Sequence, residues 1–308
     1  MLKFILRRFL ALIPTMFIII TICFFLIRLA PGGPFSRERK IPPQILANIE
    51  AKYHMNEPLV KQYLRYFGNV LRGDLGPSFK YKDQDVNYFI KISLPQSMIL
   101  GSLAMVVSLV LGVGMGMISS VRQNTVVDYA SMTLAVVGIS VPLFVVGPVL
   151  QYLFAVKLKL LPVAGWLSEY GAKALILPVV TLAFSYFATI ARLSRASFLE
   201  ALRSDYIRTA KAKGLKGSVI MFKHVLKGAA LPIVSYAGPA FSEIVTGSVV
   251  VETIFRVPGL GRHFVQSAFN RDYTMIMGTV IVYSVILLIM NFVVDVAYGF
   301  LDPRISYK

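Results

Sequence analysis

The sequence has 308 residues, 56% of them hydrophobic and only 15% charged, with a mean hydropathy of +0.68. A soluble domain carries roughly 25% charged residues and spreads its apolar ones over helix or strand faces, whereas here they fall in blocks of about 20, enough to cross a bilayer, which excludes a soluble globular fold. The net charge of +17 does not mark a nucleic-acid binder, because the cations sit at the ends of the apolar blocks with no basic groove or interleaved aromatics, and an anionic inner leaflet accounts for them.

In chain order, Lys3, Arg7 and Arg8 precede an apolar run from Phe9 to Leu29. It exceeds the roughly 7 to 15 residues of a signal-peptide core, so the sequence predicts an uncleaved first span with its N-terminus inside. Arg28, near the far end, is placed to snorkel to the outer interface. Cys23 lies inside this block and is the single cysteine, which leaves no disulfide within the chain and no cysteine-based metal site. His54, His224 and His263 lie far apart and form no ligand pair.

Residues 30–94 are the one long hydrophilic stretch. They open with Pro31-Gly32-Gly33-Pro34 and mix charges with Ile45, Ile49, Tyr63, Leu64 and Phe67 at helix-like spacing, so a small external subdomain is expected. Its ten Lys and Arg do not offend the positive-inside rule, which exempts loops longer than about 60 residues.

Further apolar blocks run from Leu94 to Ile118, Tyr129 to Val156, Ala174 to Ile190, Ala229 to Val251 and Met275 to Leu301. The reading is an all-α integral membrane protein with six transmembrane helices and both termini cytoplasmic. Residues 1–29 form the N-terminus and first span, 30–94 the external subdomain, and 95–308 a five-span core. The tail Asp302-Pro303-Arg304 and the segment 191–228 then lie inside, the latter with nine Lys or Arg; the loops 157–173 and 252–274 lie outside with three each. Charge and span count agree. Gly112, Gly114, Gly116, Gly138, Pro142, Gly147, Pro148, Gly238 and Pro239 fall within spans, where small residues permit close helix approach and prolines kink.

The stretch Arg203 to Gly217 is an island of charge between two spans. Ser204 or Asp205 is expected to cap a helix over Asp205 to Lys213, and Gly214 suits the left-handed residue that ends one. A second short helix follows, with Ser218 as cap and Val219, Ile220, Phe222, Val225 and Leu226 as its apolar positions, until Pro232. A basic helix-turn-helix under the bilayer results. The plain alternative is a solvated basic loop against anionic lipid. Further on, Glu243 falls near the middle of the fifth apolar block, where an ionisable group marks either a pathway or a locally paired or protonated contact between subunits. Asp295 is read as structural.

Arg208, Thr209, Ala210 and Gly214 resemble the cytoplasmic coupling motif of ABC importer permeases. Arg208 stands where the general motif has Glu, and Leu231-Pro232 comes later than its general spacing; both departures resemble the peptide and nickel branch. Gly73-Asp74-Leu75-Gly76-Pro77-Ser78, Glu252-Thr253-Ile254-Phe255 with Pro258-Gly259-Leu260-Gly261, Asn270-Arg271-Asp272-Tyr273, and Arg28-Leu29-Ala30-Pro31-Gly32 look like that branch too. The likeness spans nearly the whole chain and is closest to the B-type permease subunits of oligopeptide importers.

The resemblance implies a bacterial inner-membrane importer built with a second, C-type permease subunit, two cytoplasmic ATPase subunits that bind ATP-Mg, and an external peptide-binding protein. Tyr206, Ile207 and Ala210 would anchor the ATPase, with Arg208, Thr209, Lys211 and Lys213 around them and Gly214 closing the helix. Pro258, Gly259 and Gly261 would face the binding protein, and Glu243 would line the pathway. The chain has no Gly-x4-Gly-Lys-Ser/Thr phosphate loop, so no cofactor is expected on it. Dipeptide, glutathione and nickel importers share these motifs. An intramembrane protease would use Ser108, Ser140 or Ser284, yet all three histidines fall outside the spans. An ion-coupled secondary transporter would leave the basic segment idle.

Overall fold

A computed structural model describes residues 2–29, 44 and 51–301 of the chain. Ile45, Ile49, the Pro31-to-Pro34 string and the Asp302-Pro303-Arg304 tail lie outside the described residues. Within them every regular element is a helix, and the single β feature is an isolated bridge between Pro77 and Asp85. In chain order these helices are α1 (Leu2–Leu29), α2 (Leu59–Leu71), α3 (Val86–Val121), α4 (Val126–Ser140), α5 (Leu143–Leu150), α6 (Lys173–Leu202), α7 (Asp205–Ala212), α8 (Leu226–Gly247), α9 (Val249–Phe255), α10 (Leu260–Asn270) and α11 (Tyr273–Leu301). Two single turns, Leu167–Tyr170 and Gly217–Val219, join them.

Among the described residues five helices are long and apolar enough to cross a bilayer. They are α1, α3, α6, α11 and the run Gly217–Thr246, in which a wide turn at Ile220–Val225 leads into α8. The third apolar block is not one rod. α4 and α5 meet at 106°, and the pair makes a sixth crossing only if the two count as one. Pro142 causes the break: its ring and missing N–H end α4, and Val141 before it takes an extended conformation (φ −88°, ψ 119°).

α3 and α6 form the central pair. The face of α3 turned to α6 is built of small residues, Ser108, Gly112, Gly116 and Ser119. A Cβ on Gly116 would stand 2.5 Å from that of Ser194 and 2.7 Å from the Ala191 carbonyl, and one on Gly112 would stand 3.0 Å from the Phe187 carbonyl. Gly114, two residues from each, points into open space. The Ser108 hydroxyl reaches across to the Ala183 carbonyl at 3.1 Å, replacing apolar packing by a bond that lipid cannot supply.

α1 stands at the edge of the bundle. Its N-terminal part is tied to α11 by Arg8 and Asp295 at 3.2 Å and by an edge-on pair of Phe9 and Phe292. At the C-terminal end of α1, Arg28 is half-buried. It donates to the Gln62 side chain at 2.5 Å, and Gln62 in turn donates to the Met55 and Glu57 carbonyls. Tyr63 and Phe67 of α2 lie along α1, with the Tyr63 and Thr21 hydroxyls 2.7 Å apart, whereas Leu64 is exposed.

The Gly73-to-Ser78 string closes this end of the bundle. Asp272, 1% exposed, accepts from the Ser78 hydroxyl, from the Phe79 N–H at 3.1 Å and from the Met275 N–H at 3.2 Å, while Thr274 donates to the Pro77 carbonyl. Two strings separated by 194 residues are thereby one lock.

Candidate functional site

The basic elbow between α6 and α8 is the candidate site on the cytoplasmic side assigned from the sequence. α6 carries the chain well past its apolar block to Leu202, the run from Gly217 carries it back, and the free loop is only residues 203–216. The second arm is therefore not a separate helix bounded by Ser218 and Pro232. Lys216 precedes its first turn, and the helix runs through Pro232 into the membrane.

α7 begins after Ser204, but the Ser204 side chain does not cap it. Its hydroxyl donates back to the Ala201 carbonyl at 2.6 Å, and the Ser204 carbonyl accepts from Ile207 and Arg208. The far end is fully closed. The Leu215 N–H donates to the Ala210 carbonyl and the Gly214 N–H to the Lys211 carbonyl, the paired bonds of a Schellman ending, with Gly214 at φ +72°.

The faces of α7 divide sharply. Ile207 is fully buried and Ala210 is 6% exposed, packed in one cluster with Phe198 and Ala201 of α6 and Ile220, Val225 and Ala229 of the returning arm. Within this chain these two weld the elbow to its own spans, while the other expected docking residues face outward. The outward face holds Tyr206, 48% exposed, with Arg208, Thr209, Lys211 and Lys213. Leu215 and Phe222 are exposed beside them. The sequence predicts Phe222 only as an apolar position of the second helix, and neither spacing nor composition distinguishes a partner-facing apolar residue from a core one. The Tyr206 hydroxyl lies so close over Gly228 that any Cβ there would collide with it.

A brace behind the elbow joins α3, α4 and α6. Arg195 of α6 donates from Nε and Nη2 to the two carboxylate oxygens of Asp128 at 2.6 Å each. Ser119 of α3 and the Asn124 N–H complete the set, and Asp128 is buried. Nothing local in the sequence signals a pair 67 residues apart.

At the other end of the bundle, Glu252 of α9 is fully buried. It accepts from the hydroxyls of Ser97 at 2.7 Å and Ser248 at 2.6 Å and from the Arg262 N–H at 3.2 Å, while Ser97 accepts from the Leu260 N–H. Gly259 and Gly261 are buried against this carboxylate, and a Cβ on Gly259 would run into it. Both leave room for Glu252, and of the three residues expected to face an external partner Pro258 is the exposed one. Beside it a groove of about 530 Å³ is lined by Tyr81, Thr253, Pro258, Arg262, Gln266 and Phe269. His263 sits at its edge, its ring 5.0 Å from Phe89. Burial, with the Arg262 cation second, pushes its pKa below the ordinary histidine value.

Glu243 is exposed and lies one turn from the end of α8 at Gly247, nearer the end of the span than its middle.

The chain matches two family descriptions, "Binding-protein-dependent transport system inner membrane component" over residues 108–307 and the N-terminal part of such membrane components over residues 1–97. It is 50% identical over 307 residues to the oligopeptide transport system permease protein OppB of Salmonella typhimurium, covering 100% of both chains. It is 45% identical over 306 residues to the dipeptide transport system permease protein DppB of Bacillus subtilis, covering 99% of this chain and 98% of that one. In fold it is similar to a chain of the MetNI methionine ABC transporter in an inward-facing conformation, with a TM-score of 0.57 at 18% identity over 70% of this chain and 97% of the other.

Proposed function

Because the chain belongs to the family of binding-protein-dependent transport system inner membrane components and is a permease subunit of an ABC peptide importer, we propose that it forms half of an oligopeptide pathway with a second, homologous permease. In this reading α4 and α5 together make the sixth crossing, and both termini and the elbow lie in the cytoplasm. Residues 30–94 lie outside, where Pro258 and the groove beside Glu252 meet a peptide-binding protein. ATP-Mg is held by two partner ATPase subunits, in keeping with the missing phosphate loop in this chain.

The observation that carries the reading is the construction of the elbow. Ile207 and Ala210 root α7 in the inner ends of two spans, while Tyr206, Arg208, Lys211 and Lys213 stand outward on a helix whose end is locked. Such a part moves as a unit with the spans it is rooted in. Seated in a groove of an ATPase subunit, with Tyr206, Leu215 and Phe222 as apolar anchors and the cations at the rim, it passes ATP-driven closure to the bundle, and access alternates.

Charge reversal on the outward face tests this. The complete importer carrying Arg208→Glu and Lys211→Glu is expected to keep its permease pair while ATP-driven peptide uptake falls about tenfold or more. Undiminished uptake would show that α7 is not the seat of coupling.

A further inference from the structure

The fifth span differs from its neighbours in what it leaves exposed. α1, α3, α4, α5 and α11 carry rows of exposed Leu, Ile, Val or Phe, as lipid-facing helices do. Between Phe222 and Val250 no large hydrophobic side chain is exposed, and the exposed positions within α8 are Lys227, Gly228, Pro239 and Glu243. Beyond the basic inner end, a proline and a carboxyl group therefore stand open at membrane depth. A carboxyl group is among the costliest to present to acyl chains, so this face meets an aqueous path or another polar group.

A cavity of about 390 Å³ opens at the same place, between the outer part of α8 and α11. Its polar wall is Ser242, Glu243 and Thr246 from one helix and Tyr283 and Ser284 from the other. Pro239, Ser242, Glu243 and Thr246 recur at the three-and-four spacing that lines one face of a helix. Among the described residues no hydrogen bond or ion pair reaches the Glu243 carboxylate, and the buried Tyr283 hydroxyl has no partner. An ionised carboxylate only accepts, and the hydroxyls both accept and donate. The set is rich in acceptors and lacks a cation.

We propose that this cavity receives the α-ammonium group of the transported peptide, with Glu243 as its counter-charge and the neighbouring hydroxyls taking the remaining N–H donors. The inference rests on the peptide-importer reading. Peptides differ in every side chain but share an ammonium terminus, which brings a unit charge and three donors. A site for that group alone is indifferent to sequence. The volume holds about a dozen waters at ~30 Å³ each, so it takes one end of a peptide rather than the whole. Its place one turn from the outer end of α8 puts it early on an inward route.

The test is uptake by the complete reconstituted importer of a free peptide and its N-acetylated twin, a pair that the external binding protein retains alike. Glu243→Gln is expected to lower uptake of the free peptide about tenfold and to leave the acetylated one within about twofold, while Glu243→Asp keeps the wild-type preference. The binding protein is common to all, so its own preference cancels from the wild-type-to-variant ratio. An equal fall for both peptides would overturn the proposal and assign Glu243 to a contact with the second permease; so would no change for either. If the wild type moves neither peptide, the peptide reading itself fails, an outcome distinct from both.

Discussion

Gly214 isolates a backbone effect. At φ +72° it occupies the left-handed region, and a Cβ there meets nothing within 4 Å. Gly214→Ala is expected to cost about 1 kcal/mol, from conformation alone, with Gly214→Asn costing less; faster tryptic cleavage at Lys213 and Lys216 would register the loosened ending. Gly259 isolates a steric effect. Gly259→Ala forces the buried Glu252 carboxylate from its three donors and is expected to cost about 2–4 kcal/mol, seen as a lower melting temperature of the purified complex. His263 supplies a pH dependence. Its folded pKa lies below the unfolded value near 6.5, so the unfolded chain binds the proton more readily. The stability it contributes is present above that value and is lost as pH falls through it. His263→Gln should flatten this acid-side decline in melting temperature. Residue types and spacing were legible in the sequence at all three positions, but only Gly214 disclosed its role. The glycines at 259 and 261 serve a carboxylate that becomes buried only when a distant Ser97 closes over it.

At the scale of elements, the spans were legible because blocks of apolar residues record the bilayer directly. Their ends were not, since α3, α6 and the fifth span extend as helices beyond the apolar blocks that marked them. Pro142 was visible as a helix breaker, but a bend of 106° depends on what the two halves then pack against, and residue order does not carry that. The contact of α3 with α6 gives a sharp test. Gly116→Ala overpacks against Ser194 and a backbone carbonyl and should cost about 1–3 kcal/mol. Gly114→Ala, on the open side, should be neutral or gain up to about 1 kcal/mol of helix propensity. Equal effects in thermal melts would contradict the assigned faces. The brace behind the elbow behaves differently from either. Arg195→Ala leaves the Asp128 carboxylate buried without its cation and is expected to cost about 3–5 kcal/mol, separating the N-terminal end of α4 from the C-terminal part of α6.

Across the whole molecule, one packed bundle joins the elbow to the buried Glu252 cluster at its other end. The central pair α3 and α6 reaches both: Ser97 in the N-terminal third of α3 donates to Glu252, and Phe198 near the C-terminal end of α6 is buried against α7. Displacement of the elbow therefore has a continuous packed route to the outer loops. The basic character of the elbow was plain from composition; which of its apolar residues face inward was not, because Ile207 and Tyr206 differ in direction and not in kind. The most direct measurement is peptide uptake into proteoliposomes that carry this chain and its second permease, with and without the ATPase subunits, in the presence of ATP and loaded binding protein. The account predicts uptake only when the ATPases are present; full-rate uptake by the permease pair alone would contradict it.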